Sequence, residues 1–420
     1  MPSDDNPRRF VKRRNVEEMT NYITAKQAAE LWKITPRRVQ EMCRNGEIEG
    51  VTRHGREWLI PVNATRRTQG GKAVEQIEKK SADQSIYGGM TDTYKLPGSA
   101  AEVMMSLAGN ETAYDIFACQ LYFYRGEYKN SIALAEKLAS DDVKNVSHRI
   151  AAGIQLMLGS IYTGDIKLWR RGRDYIANTA CENEYQKNAV DFWLACGTNA
   201  LTDATYYPEW FKRGDFTRLP PNNYAVASYH YVKYLYVVCS QDSEQAIEIM
   251  HTMPRIIEPL ISWVCLTRSV LMEIYLRLLC ALAYHICGRD ESAIPHIDRA
   301  ISLALPDKLY TPFAEYRRRF GFLMDDRILL QSKTALADIK TASKMLVEGW
   351  TALHNEVLGK NVSSSLSTRE WQAARLATYG LSNKEIAERM GVTVNAVKQA
   401  LRMAMDKTGA ESRSEIAKYL

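Results

Sequence analysis

Residues 366–420 read LSTREWQAARLATYGLSNKEIAERMGVTVNAVKQALRMAMDKTGAESRSEIAKYL. Ser367 with Glu370, Ser382 with Glu385, and Ser412 with Glu415 each place a hydroxyl three residues before a glutamate. That spacing lets two side chains satisfy the unpaired N–H groups at the start of a helix. Thr393 is a further N-cap, and Gly380 and Gly391 are stops. The stretch therefore divides into four helices. Trp371, Ala374, Leu376 and Ala377 give the first its apolar side, and Ile386, Ala387 and Met390 the second. Val392 anchors the turn after Gly391. Val394, Val397, Leu401 and Ala404 fall at helical spacing on the third helix, which is predicted to reach about Lys407, and are expected to face the core. Asn395, Lys398, Gln399 and Arg402 are left for the outside. Ile416, Ala417 and Leu420 mark the fourth helix.

A second compact pattern lies near the other end. Thr24 and Gln27 form a capping pair, Ala28, Ala29 and Leu31 pack, and Trp32-Lys33-Ile34 turns. Thr35 caps a second helix whose first position is Pro36, where a missing N–H costs nothing. That helix is predicted to run to Arg44, with Val39, Met42 and Cys43 apolar and Arg37, Arg38, Gln40 and Arg44 reaching outward. Asn45-Gly46 stops it. Two short helices so spaced suit a major-groove reader, because the first holds the second while the second keeps its own face available. Residues 48–53 and 56–61 read as two strands about His54-Gly55, with Trp58 and Ile60 facing the helices. Arg53, His54 and Arg56 lie near the hairpin tip, within reach of phosphates.

The charge agrees with two nucleic-acid contacts. The chain of 420 residues carries +6 overall. Residues 1–70 hold 14 Lys and Arg against 9 Asp and Glu, residues 361–420 hold 9 against 6, and the rest hold 32 against 34. Positive charge thus gathers at the ends, as phosphate contact by both would require.

The carboxy-terminal stretch resembles the LuxR-type DNA-binding domain over its whole length, through LSTRE, GLSNKEIAERMGV, the Val397-Lys398 pair and KTGAESRSE. The resemblance implies a four-helix helix-turn-helix in which Lys384, Thr393, Asn395, Val397 and Lys398 contact DNA backbone or groove. Gln399-Ala400 stands where the family often has Asn-His, and Asn395-Ala396 stands where an Arg or Thr is common. These departures bear on the target sequence. Such modules usually dimerise on DNA through the fourth helix, where Ile416 and Tyr419 are candidates. Arg413 occupies the usual Ser-Arg step into that helix. The stretch YITAKQAAELWKITPRRVQEMCRNGEIEGVTRHGREWLIP resembles the winged helix-turn-helix of the MerR and phage-excisionase group. By that likeness Thr35, Pro36, Arg37, Arg38 and Gln40 mark the groove-facing end and Arg56 the wing.

Between the ends, turns at Gly126, Gly164, Ser240 and Gly288 each feed a helix with small residues where a preceding helix could pack. These pieces resemble degenerate tetratricopeptide repeats with an irregular period. The expected organisation is a basic disordered arm (1–19), a winged helix-turn-helix (20–66), a linker (67–98) with a short helix over 74–80, an α-solenoid (99–358) and a LuxR-type module (359–420). The fold class is mainly α. Asn222 and Asn223 are expected to cap a helix carrying Tyr224, Tyr229, Tyr231, Tyr234 and Tyr236. Core packing is the default for these rings and a ligand-facing wall the alternative. Arg317, Arg318 and Arg319 form the sharpest basic cluster in the body. A solvated face is its default and docking to a reader domain or DNA its alternative.

Eight scattered cysteines without a Cys-x-x-Cys pair suit a reducing cytoplasm. Cys280 and Cys287 read as buried packing rather than ligands. No phosphate-binding loop, His-Glu-x-x-His motif or apolar membrane span is present. His285 and His296 have no carboxylate at metal-site spacing. Convergence in space stays open. No enzyme and no cofactor is expected. The reading is a bacterial, cytoplasmic transcription regulator that binds double-stranded DNA, dimerises on it and contacts RNA polymerase. Its body would take a small-molecule or protein ligand or set oligomer geometry. A protein-interaction scaffold and an excisionase-like architectural DNA binder are the alternatives.

Overall fold

A computed structural model describes residues 22–32, 34–48, 51–54, 57–61, 90–140, 143–213, 218, 243–266 and 268–420. The chain forms two compact units that divide after Asp83. The expected basic arm, the helix over 74–80, the turn at Ser240, the cap at Asn222 and Asn223, and the tyrosines from Tyr224 to Tyr236 lie outside the described residues.

In the first unit β1 (Tyr22–Thr24) leads into α1 (Ala25–Trp32) and α2 (Pro36–Arg44), followed by β2 (Thr52–His54) and β3 (Glu57–Pro61). Thr24 and Gln27 cap each other as expected: Gln27 Oε1 accepts from Thr24 N at 2.9 Å and Thr24 Oγ1 accepts from Gln27 N at 3.3 Å. Thr35 Oγ1 accepts from Arg38 N, and Gly46 takes the positive φ that ends α2. β3 lies between β1 and β2 in an antiparallel sheet, with Ile23 opposite Ile60 and Arg53 opposite Trp58. The strand β1 was not foreseen. Its three residues are too few to show alternation, and its partner lies some forty positions on. Ala28, Val39, Met42, Cys43, Ile48 and Ile60 form the core, with Trp58 against it.

The second unit is helical among its described residues. α3 (Met90–Thr93), α4 (Ala100–Ser106), α5 (Glu111–Arg125), α6 (Tyr128–Leu138), α7 (Val146–Thr163), α8 (Ile166–Ala177), α9 (Glu184–Asn199) and α10 (Glu209–Arg213) form its first half. α11 (Ser243–Thr252), α12 (Pro254–Leu266), α13 (Val270–Ile286), α14 (Asp290–Ala304), α15 (Thr311–Phe320), α16 (Phe322–Gln331) and α17 (Lys333–Leu358) form the second. Three of the four expected turns are helix hairpins. Gly126, Gly164 and Gly288 each adopt positive φ between a helix and its antecedent, where a side chain would be strained. The hairpin of α7 and α8 is close: a Cβ on Gly153 would strike Ile176, and one on Gly172 would strike the Gly153 carbonyl.

Two features depart from a simple stack of hairpins. Repeat arrays bring each repeat against its neighbours alone, whereas α17, 26 residues long, crosses back over α7 and α15. At that crossing a Cβ on Gly349 would collide with the Ile161 carbonyl oxygen. Trp350 Nε1 donates to Ala200 O at 2.8 Å beside it. The end of the expected linker is also body structure. Met90 and Tyr94 are fully buried, and Asp307 accepts hydrogen bonds from the Tyr94 hydroxyl (2.6 Å), Gly98 N (2.6 Å) and Ala100 N (3.3 Å). A carboxylate more than two hundred residues distant holds this segment down.

α18 (Thr368–Thr378), α19 (Asn383–Met390) and α20 (Val394–Thr408) complete the chain with a 3₁₀ stretch over Glu415–Tyr419. The expected fourth α-helix is therefore a short 3₁₀ element. Its expected capping box is incomplete: Glu415 accepts from Glu411 N (3.0 Å) and from the Ser412 backbone, but the Ser412 hydroxyl pairs with that of Ser414 (3.0 Å). Among the described residues no helix is long and apolar enough to cross a membrane.

Candidate nucleic-acid interfaces

In the first unit α1 and the sheet hold α2 by its inner face, where Val39, Met42 and Cys43 are buried. Thr35, Pro36, Arg37, Arg38, Gln40 and Arg44 are all exposed. Carboxylates comb this face. Arg37 lies 3.8 Å from Glu41, and Arg38 lies 3.4 Å from Glu41 and 3.6 Å from Glu47. Sequence reading singled out the arginines and passed over these partners. Exposed pairs of this kind contribute about 0–1 kcal/mol, so a phosphate or base edge can take their place. Arg53 is exposed on β2 with its guanidinium over Trp58, 5.5 Å from the ring centre. Arg56 and the side chain of His54 lie outside the described residues.

At the other end both remaining capping boxes close. Ser367 and Glu370 satisfy each other's backbone N–H at the start of α18, and Ser382 and Glu385 do the same for α19. Thr393 Oγ1 accepts from Ala396 N to start α20. Ile386, Ala387 and Met390 of α19 meet Leu401 and Ala404 of α20 in one core. Lys384, Thr393, Asn395, Lys398, Gln399 and Arg402 are all exposed, and Asn395, Lys398, Gln399 and Arg402 fall at helical spacing along α20. Arg402 reaches Asp406 at 3.9 Å, with both side chains largely in solvent. Val397 is a correction. It is fully buried, so it holds α20 against the module instead of meeting DNA. Val394, expected inside, is exposed because it occupies the first turn of the helix, before the core begins.

Several residues that set this surface were missed or assigned another place. Arg413 donates to Asn383 Oδ1 (2.9 Å) and to the Leu381 carbonyl, tying the chain's end to the turn before α19. Lys407 reaches Glu370 at 2.8 Å, so α20 is clamped to the cap of α18. The default solvated face for Arg317, Arg318 and Arg319 does not hold. Arg317 makes a two-point ion pair with Asp325 (2.8 Å each). Arg318 lies over Trp371 of α18 (4.9 Å) and donates to the Leu366 carbonyl (3.0 Å). Burial, with Arg319 adding repulsion, brings the Arg318 pKa down to about 9.

The module is thus seated on the body. Gln372 is buried against Gly321, Arg369 lies over Phe322, and Ile286 faces Trp371, Leu376 and Tyr379. Arg389 of α19 donates to the His285 and Ile286 carbonyls at the end of α13, the pole of a helix that favours a cation. α20 makes its main contacts with α18, α19 and the terminal 3₁₀ stretch, so its outer face points away from this seat.

Residues 364–420 match the family of bacterial regulatory proteins of the luxR family, and residues 22–64 match a helix-turn-helix domain family. The chain therefore carries a LuxR-type helix-turn-helix at its carboxy-terminal end and a second helix-turn-helix near its amino terminus. Both are non-catalytic DNA-binding regulatory domains, which supports a DNA-binding, transcription-regulatory function. No curated protein and no solved structure matches the chain.

Proposed function

We propose that this protein is a transcription regulator that reads duplex DNA with both ends, each recognising a different sequence. α2 enters one major groove with Arg37, Arg38, Gln40 and Arg44, while the β2–β3 hairpin acts as a wing of the MerR and excisionase kind. α20 enters another with Asn395, Lys398, Gln399 and Arg402, while Lys384 and Thr393 meet the backbone. The observation that carries this reading is shared by both ends: the inner face of the helix is core, and its outer polar face is open to solvent. The tetratricopeptide-like body takes a small-molecule or protein ligand and sets the spacing of readers in a homodimer on DNA. RNA polymerase is the expected downstream contact of a cytoplasmic regulator.

The test is retardation of duplex DNA by the full chain and by Arg38→Ala and Lys398→Ala. Loss of a base contact is expected to cost about 1–3 kcal/mol of discrimination. Loss of a phosphate contact is expected to lower the slope of log affinity against log salt by about 0.9. Each variant should affect one half of a composite site. If the full chain does not retard duplex DNA, both ends are adaptors to protein; if it does and neither variant changes binding, α2 and α20 are not the helices that read it.

A further inference from the structure

Three body helices bring together side chains that the sequence keeps apart. Glu258 stands on α12, Cys280 on α13 and His296 on α14, and one ligand atom from each lies within 4.8 Å of the others. Cys280 Sγ is 3.8 Å from His296 Nε2, and that nitrogen is 3.7 Å from Glu258 Oε1. The second distance is too long for a hydrogen bond. Both distances exceed by only a few tenths of an ångström the separation of ligand atoms on tetrahedral zinc, about 3.4 Å for nitrogen and oxygen and about 3.6 Å for sulfur and nitrogen, so a small closure brings the atoms into one coordination sphere.

The surroundings hold these groups in place. The Tyr284 hydroxyl donates to Glu258 Oε1 at 2.5 Å, and its ring stacks on His296 at 5.9 Å, so one residue orients two of the three. His296 Nδ1 is buried with no hydrogen-bond partner among the described residues. Nothing on that side therefore pins the ring proton to Nε2. The Nε2 lone pair can face the cluster with the proton on Nδ1, where it stays unpaired. Cys280 is fully buried, while Glu258 is half exposed and opens the cluster toward solvent. A positive neighbour opposes a cation here: Arg277, one turn before Cys280. Its Nε is held at 2.8 Å by Glu273, which Arg299 also reaches. Arg289 lies over the Tyr284 ring, 4.7 Å from its centre.

We propose that Glu258, Cys280 and His296 form a binding site for a borderline transition-metal dication of the zinc type, with a fourth position open to water. The donor set of one thiolate, one imidazole and one carboxylate suits such an ion and not calcium or magnesium. On binding, the Cys280 S–H bond breaks, its proton passes to solvent and the sulfur–metal bond forms. No electron is transferred. Burial raises the pKa of that thiol to about 12, so an ion must displace a proton that the empty pocket retains. The site lies on the same helix whose final carbonyls receive Arg389. An ion there would fasten α12, α13 and α14 beside the seat of the carboxy-terminal module.

Cobalt(II) added to the full chain is the probe. One equivalent should give a near-ultraviolet thiolate-to-cobalt band with visible bands of a four-coordinate ion, and zinc should displace it. Cys280→Ala should abolish the thiolate band. His296→Gln and Glu258→Gln should each weaken binding at least about tenfold, and Tyr284→Phe about tenfold through lost orientation. Circular dichroism confirms that each variant is folded, and Cys280→Ser serves if the alanine variant is not. X-ray absorption of the zinc-loaded wild type needs no variant and should show one sulfur among nitrogen and oxygen scatterers. No thiolate band at saturating cobalt would overturn the proposal and leave Cys280 and His296 as packed core neighbours. So would a band that survives removal of Cys280, because another cysteine would then be the ligand.

Discussion

The two helix-turn-helix ends rest on different supports. The amino-terminal one closes its own core: every residue of that cluster lies between Ile23 and Ile60. The carboxy-terminal one shares its core with the body. Trp371, Ala374, Leu376, Ile386 and Val397 belong to one apolar cluster with Ile286, Phe320 and Met324. The lesson is that a motif defines a reading surface but not what holds that surface still. In the first case a sheet does so, in the second a neighbouring domain.

The largest test of this contrast removes one large core side chain from each end. Trp371→Ala is expected to cost about 3–5 kcal/mol and Met42→Ala about 2–5 kcal/mol. Calorimetry of the full chain should show that Trp371→Ala lowers the transition of the body and the carboxy-terminal module together, while Met42→Ala lowers a separate one. A body transition that ignores Trp371 would break the comparison.

A smaller effect is expected at the seat itself. Arg389→Ala removes donors to two carbonyls at the end of α13 and should cost about 1–3 kcal/mol. Denaturant unfolding should detect this loss. The DNA contact proposed for Lys398 should be unaffected in the variant, because Arg389 lies on α19 toward the body.

The smallest expected effect separates the ends by pH. The amino-terminal capping pair uses Gln27, which does not titrate, whereas the carboxy-terminal boxes use Glu370 and Glu385. Burial works against ionised Glu370, but Lys407 and Ser367 outweigh it and hold its pKa below the ordinary value. Ser382 lowers that of Glu385. A carboxylate lowered in the fold contributes stability that is present above its unfolded pKa and lost as pH falls through the folded one. Melting from neutral to about pH 3 should therefore weaken the carboxy-terminal transition more. Glu370→Gln together with Glu385→Gln should reduce that dependence. An equal acid response in the double variant would assign it to other carboxylates.

What could be read from the chain beforehand follows the range of each interaction. Thr24–Gln27, Ser367–Glu370 and Ser382–Glu385 act over three residues, so the pattern alone announces them. The glycines ending α5, α7 and α13 are equally local. Val397 satisfies two patterns at once, helical spacing and likeness to a DNA contact, and burial decides between them. Arg318 on Trp371, Arg389 on Ile286 and Asp307 on Tyr94 join residues dozens to hundreds of positions apart. Their composition resembles that of any solvated helix. Glu258, Cys280 and His296 escape for the same reason, because each stands on a different helix.

The crossing at Gly349 gives α17 an unusual sensitivity. A methyl group there has no room, since backbone, which cannot rotate aside, already fills the space. The same helix ends at Gly359, and seven residues later Leu366 takes the hydrogen bond from Arg318. A one-carbon change at Gly349 would therefore force α17 away from α7. Bulk at this one position is thus excluded by the body's own backbone, whatever the side chains of α20 are.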